Sequence, residues 1–333
     1  MYNRNEVNRK LIEILRILSE QTEPVGARFI ARKLRDRGYP LDERTVRYHL
    51  RLLDERGLTG NMGYDGRVIT EKGLEELRNA LVTDRIGFII TKIESLIFKA
   101  NFDVRQGKGN VIINNAVISK RHYNTALKII RKVVSAGYAV SPLVRIFEEG
   151  EVVEGRIVPK GKVMIVTLCS ITLDAILHHA GIPISPMFGG MVQILERKAL
   201  RFTDLISYSG STLDPLEIFS AKGLSSVLKA VETGNGYVLA NFREIPMDAM
   251  AKAKEELKRA EKFGINGVLR IGEPNTPVLG VPVRINHVGI AVFGGTNMLT
   301  ALSEAGIPVE IKAIEGFMDV KEMVDINDLP FKS

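Results

Sequence analysis

A short motif, Ala180-Gly181-Ile182-Pro183, returns as Ala305-Gly306-Ile307-Pro308, 125 residues later. The same spacing holds upstream without a gap. Asn110 falls on Asn235, Ile146 on Ile271, Gly155 on Gly280, Val163 on Val288, Ile165 on Ile290 and Leu177 on Leu302. A register kept over about seventy residues marks an internal duplication. Each copy carries the same alternation of patterns. A strand (Val111 to Asn114; Tyr237 to Asn241) precedes a helix (His122 to Ala136; Met247 to Phe263). Further strands follow (Tyr138 to Phe147 and Lys162 to Leu168; Gly267 to Ile271 and His287 to Phe293), then a second helix (Leu173 to Ala180; Met298 to Ala305) and a terminal strand segment. This predicts an α/β (α+β) domain over residues 83–333. Its approximate repeats, 84–208 and 209–333, are expected to form two lobes related by a pseudo-twofold axis, with a cleft between them suited to a small ligand.

The first 82 residues follow another pattern. Val7, Leu11, Ile14, Leu15 and Leu18 recur at helical spacing. Pro24 and Gly26 interrupt the chain, and a second helix buries Ile30 and Leu34 while turning Arg28, Arg32, Arg35 and Arg37 outward. Asp42 is placed to cap a third helix, with Val46, Leu50 and Leu53 on one face and Arg44, Arg47, Tyr48 and Arg51 on the other. Two short β runs then flank Tyr64-Asp65-Gly66-Arg67, a hairpin signal, before a helical pattern from Glu71 to Leu81. Three helices and a wing describe a winged helix-turn-helix. The third helix offers forked donors for guanine edges and phosphates from Arg44, Thr45, Arg47, Tyr48 and Arg51, and Arg67 lies on the wing within reach of phosphate or minor groove. Taken singly, each arginine also fits a solvated face, and RNA or protein are alternative partners for such a fold. His49, beside the core face, fits packing or a phosphate contact.

Strand-to-helix turns carry the candidate chemistry of the duplicated domain. Phe293-Gly294-Gly295-Thr296-Asn297 offers close backbone approach and helix N-terminal N–H groups to an anion, and Cys169-Ser170 holds the equivalent place in the first copy. A plain turn fits equally. Ser211, Thr212 and Asp214, in the polar run Tyr208 to Glu217, fit a pocket wall or a linker with helix caps. Arg243, at a strand end, could grip a carboxylate bidentately or pair internally with Glu244 or Asp248. Gly189-Gly190 suggests a turn. The five histidines show no zinc spacing, and no Walker, Rossmann or nucleophile-elbow motif occurs. We therefore expect no enzyme activity, no metal and no cofactor. The formal net charge of +7 permits nucleic-acid binding without proving it. A single cysteine excludes an intrachain disulfide, and the sequence shows neither a signal peptide nor a membrane span, so a cytoplasmic protein is expected.

Four stretches carry a resemblance: Tyr208-Ser209-Gly210-Ser211-Thr212-Leu213-Asp214-Pro215-Leu216-Glu217-Ile218-Phe219, Asn241-Phe242-Arg243-Glu244-Ile245-Pro246, Leu279-Gly280-Val281-Pro282-Val283 and Gly294-Gly295-Thr296-Asn297. With Thr45 to Leu50 before them, the chain resembles the archaeal nitrogen-regulatory repressor family, NrpR, with one regulatory domain. The resemblance implies a dimeric repressor of nitrogen-fixation and ammonia-assimilation genes that binds double-stranded operator DNA. It also implies release from the operator by 2-oxoglutarate, a dicarboxylate effector bound in the duplicated domain. Family members also divide DNA-binding and co-regulatory roles between chains, so a second regulatory subunit is compatible. The alternatives are a small-molecule α/β enzyme with a winged-helix appendage, and a co-regulator that binds no DNA.

Overall fold

The structure, a computed structural model, describes residues 4–21, 23–79, 88–153 and 156–332. Leu81, the expected boundary at 82/83, Gly155 and the side chain of Val7 lie outside the described part. The chain divides into two compact units, residues 1–86 and 87–333.

In the first unit, helices α1 (Arg4–Ser19), α2 (Ala27–Asp36) and α3 (Glu43–Glu55) precede strands β1 (Thr59–Asn61) and β2 (Arg67–Ile69) and helix α4 (Glu71–Asn79). Leu11, Ile14, Leu15 and Leu18 of α1 meet Ile30, Leu34, Val46, Leu50 and Leu53 in one core. Each such side chain contributes about 1.5–3 kcal/mol when fully buried. The hairpin pairs Thr59 with Ile69 and Asn61 with Arg67. Val25, in the linker before α2, bridges the outer edge of β2 at Arg67. The expected winged helix-turn-helix is therefore present.

The second unit opens with α5 (Phe88–Lys99). The first repeat supplies β3 (Asn110–Ser119), α6 (Tyr123–Ser135), β4 (Leu143–Phe147), the small hairpin β5 (Val152–Val153) and β6 (Arg156–Ile157), β7 (Lys162–Leu168) and α7 (Ile171–His179). The long hairpin β8 (Ser185–Leu195) and β9 (Lys198–Ser207) completes it. Helices α8 (Pro215–Ala221) and α9 (Val227–Thr233) lead into β10 (Gly236–Pro246), α10 (Met250–Glu261), β11 (Val268–Ile271), β12 (His287–Phe293), α11 (Asn297–Glu304), β13 (Val309–Lys312), β14 (Phe317–Asp319) and β15 (Val324–Asp325).

The two repeats trade strands. One sheet runs β13-β3-β7-β4-β15, with β14 also on β3, and the other runs β11-β12-β10-β8-β9. The trio β4-β7-β3 of the first repeat is thus completed by strands of the second. The equivalent trio β11-β12-β10 is completed by β8 and β9 of the first. Every pairing is antiparallel. The helices follow suit, α6 packing on α11 and α10 on α7. Each of the two large cores draws residues from both sheets. The two lobes therefore form one interlocked body.

Two local expectations change. Tyr138 to Pro142 is not strand, and β4 starts only at Leu143. Gly189-Gly190 makes no turn but sits inside β8, where a Cβ on Gly190 would lie 2.2 Å from the Asp204 carbonyl oxygen. The turn of that hairpin is instead made by Glu196 and Arg197, both in the left-handed region.

Candidate functional site

Helix α3 is built to present its basic face. Asp42 is extended and its carboxylate accepts from Thr45 N at 2.7 Å, which fixes the first turn and lowers the Asp42 pKa. Val46, Leu50 and Leu53 are wholly buried, so the opposite side must face out. Arg44, Arg47, Tyr48 and Arg51 are exposed there, and Thr45 is half-buried. Arg47 leans on Glu43 one turn back. Such an exposed pair is worth less than about 1 kcal/mol, so a phosphate can displace it. His49 is buried against the core, and burial lowers its pKa.

Arg67 behaves differently. Its Nε donates to Asp54 Oδ2 of α3 at 2.8 Å, and Asp54 Oδ1 accepts from Thr59 Oγ1 at 2.5 Å. The guanidinium braces the wing strands against the recognition helix instead of pointing out from the wing. At the tip, Tyr64 is fully exposed and Met62 half-exposed. The sequence reading quoted Tyr64 only as part of a turn.

The candidate effector residues converge on the junction between the repeats, and most are interior. Cys169, Ser170, Ser211, Asp214, Arg243, Gly294, Gly295, Thr296 and Asn297 are buried, while Thr212 is half-buried. The two equivalent strand-to-helix turns abut. Thr167 Oγ1 donates to the Gly295 carbonyl at 3.3 Å, and a Cβ on Gly295 would lie 2.9 Å from Cys169 Cα. The close approach these glycines permit is to the chain's own backbone. Asn297 is also spent internally: Oδ1 accepts from Leu239 N, and Nδ2 donates to the carbonyls of Leu239 and Tyr138.

Three residues absent from the sequence reading of the site complete it. Tyr208 OH donates to Asn241 Oδ1 at 2.5 Å, and Asn241 Nδ2 donates to Ser170 Oγ at 2.8 Å. Arg243 pairs internally, but with Asp174 of α7: Nη2 donates to Oδ2 at 2.9 Å. The Nε–Oδ1 approach of 2.5 Å is an ion-pair contact without hydrogen-bond alignment. Glu244, the neighbour expected to pair with Arg243, instead holds Arg284. Ser211 Oγ bonds its own loop at the Leu213 carbonyl, and Asp214 caps α8 by accepting from Leu216 N and Glu217 N.

Burial dominates the electrostatics here. It pushes the Cys169 thiol up to about 12, so the thiolate is disfavoured. It raises the Asp174 carboxyl to about 6 against the pull of Arg243, and Asp214 to about 7 with help from the Glu217 charge. Arg243 Nη1, Asn114 Nδ2 and Thr296 Oγ1 are buried at this junction without a protein partner. Among the described residues, no group of three or more His, Cys, Asp or Glu is arranged to hold a metal ion. Nor is any described helix long and apolar enough to cross a membrane.

Comparison with known proteins fits this architecture. Residues 86–325 match the family described as NrpR regulatory domains NRD1 and 2. The chain belongs to the NrpR family. Residues 12–77 match the ribonuclease R winged-helix domain. The global nitrogen regulator NrpRI of Methanosarcina mazei is 44% identical over 321 residues, covering 96% of this chain and 99% of that protein. The global nitrogen regulator NrpR of Methanococcus maripaludis is 36% identical; the match covers 94% of this chain but 54% of that protein. This NrpR chain therefore spans the whole of one curated relative and about half of another. A crystal structure of a nitrogen repressor-like protein from Methanococcus jannaschii superposes with a TM-score of 0.61 at 32% identity, covering 71% of this chain and 97% of that one. Winged helix and regulatory domain thus stand in the order expected from the sequence.

Proposed function

We propose that this NrpR protein is a DNA-binding transcriptional repressor of nitrogen-assimilation and nitrogen-fixation genes, released from its operator by 2-oxoglutarate. The observation that carries the DNA half is the exposed set Arg44, Arg47, Tyr48 and Arg51 on a capped helix whose other face is wholly buried. Two subunits would set two such helices in successive major grooves, with Tyr64 at the wing tip beside the minor groove. The effector half is supported by family membership and by the inter-repeat junction. The buried donors of Arg243, Asn114 and Thr296 are unmatched there, and Asp174 competes for Arg243. A dicarboxylate felt at this junction would favour one arrangement of the repeats over another and so alter the grip on DNA.

The test is a mobility shift of labelled promoter DNA, with and without 2-oxoglutarate. The complex should form at low salt and dissociate on adding the effector. Arg47→Ala should weaken it about 5- to 150-fold, the range for one lost base-reading contact. Undiminished operator affinity in that variant would remove Arg47 from the interface, and the absence of any complex would reject the proposal.

A further inference from the structure

The wing, residues 59–69, holds a single cation, Arg67, and a single acid, Asp65. The cation is withdrawn. Its Nε donates to Asp54 Oδ2 at 2.8 Å, and the two side chains are only 21% and 22% exposed. Asp65 stands exposed next to the tip. A wing so charged has no side-chain cation left with which to neutralise a phosphate. What it presents instead is apolar surface, since Tyr64 is fully exposed and Met62 half-exposed.

The turn that carries these two side chains is closely tied. Met62 N donates to the Gly66 carbonyl at 2.8 Å, and Gly63 N donates to Asn61 Oδ1 at 3.0 Å. Gly66 has a φ of 116°, and a Cβ there would lie 2.4 Å from the Val25 carbonyl oxygen. Val25 and Arg67 exchange both backbone hydrogen bonds, at 3.0 and 3.1 Å. Two apolar side chains held in water on an ordered turn add nothing to the core. They are well suited to an external contact, because an ordered turn loses little conformational entropy on binding.

We propose that Met62 and Tyr64 form an apolar wedge that enters the minor groove beside the recognition helix and partly unstacks one base step, with Asp54 as its positioning residue. Apolar side chains inserted between base steps kink the duplex toward the major groove. The occupant is DNA, and not a protein, because Asp54 belongs to α3. Its ion pair with Arg67 ties the wing to the helix that presents Arg44, Arg47, Tyr48 and Arg51, so the tip accompanies that helix onto the duplex. Pyrimidine–purine steps unstack most easily and are the expected point of entry. The inference rests on the operator-binding reading above and adds how the wing takes part in it.

Promoter duplexes carrying 2-aminopurine at successive steps test it, alongside the mobility shift. Binding of the wild-type full chain should brighten the probe at the step beside each recognition helix. Tyr64→Ala should abolish that signal and weaken binding about 5- to 150-fold, the range for losing one base–aromatic stack. Met62→Ala should act in the same direction; both side chains are exposed, so the fold tolerates the changes. The slope of affinity against salt should stay at its wild-type value, because no phosphate contact is lost. Tyr64→Phe should behave as wild type. Asp54→Asn keeps the oxygen that accepts from Thr59 and loosens the tie to Arg67. Tyr64→Ala added to it should cost less than about twofold. A wild-type complex indifferent to Tyr64→Ala would overturn the wedge, leave the operator reading intact and assign the tip to a protein partner. Tyr64→Phe as weak as Tyr64→Ala would also overturn it, since the hydroxyl and not the ring would then make the contact. A full Tyr64→Ala loss in the Asp54→Asn background would overturn the positioning role of Asp54. Absence of any wild-type complex would reject the operator reading and the wedge together.

Discussion

Replacing Arg243 by Ala should destabilise the regulatory domain in a strongly pH-dependent way. The Arg243 and Asp174 side chains are only 3% and 0% exposed. Removing the cation strands a carboxylate with no access to water, which costs about 3–5 kcal/mol while that carboxylate is charged. With Arg243 in place, burial already lifts the Asp174 carboxyl to about 6, and Arg243 is what holds it from rising further. In the variant its folded pKa climbs, so the gap to the unfolded value widens. A group raised in the folded state contributes stability at low pH that is lost as pH rises through the folded pKa. The penalty should therefore be near full at pH 8. At pH 5 the carboxyl is protonated, and the cost should shrink to about 1–3 kcal/mol for lost packing and an unmet hydrogen bond. Urea unfolding followed by tyrosine fluorescence is the assay, because the chain has 8 tyrosines and no tryptophan. At an m-value of about 2–3 kcal/mol/M, the midpoint should fall by about 1–2 M at pH 8. The double variant Arg243→Met/Asp174→Leu should recover most of the loss, since an apolar pair of similar volume replaces a buried ion pair at little cost. An equal loss at both pH values, or no recovery in the double variant, would refute this account.

Gly295→Ala should cost about 1–3 kcal/mol by overpacking, because its Cβ meets Cys169 Cα and the Leu168 carbonyl oxygen, each at 2.9 Å. Hydrogen exchange should speed up in both strand-to-helix turns, and unchanged protection would show that the two turns are not pressed together. Asp214→Asn should flatten the fall of stability between pH 4 and 8. The Asp214 carboxyl rises from an ordinary 3.8 to about 7, so its ionisation penalises the folded state as pH increases. The amide keeps the helix cap without the charge, and the gain at pH 8 should reach as much as about 4 kcal/mol. Thermal unfolding across that range measures it.

The winged helix was legible because its signals are local. Asp42, the apolar face of Val46, Leu50 and Leu53, and the Asp-Gly hairpin all lie within a few residues of what they determine. Arg67 shows the limit, since its partner Asp54 lies 13 residues away across the hairpin. The pairing of Arg243 with Asp174 spans 69 residues and crosses from one repeat to the other. Nearby Glu244 and Asp248 were therefore the natural but incorrect candidates. The β8–β9 hairpin left little trace because Glu196 and Arg197 occupy a turn whose backbone favours Asn or Gly. The offset of 125 residues revealed the duplication. It could not reveal the strand exchange, because the spacing is the same whichever sheet receives β8 and β13.

That exchange governs how the molecule can be made. The first sheet begins at Asn110, yet three of its strands arrive only with residues 309–325, after the whole of the second sheet has been made. A ribosome making this protein holds an open sheet edge at β3 until residues 309–325 have emerged. Pairing so distant in sequence is slow to form. A nascent chain severed at the midpoint of the duplication would carry β8 and β9 with no sheet to join.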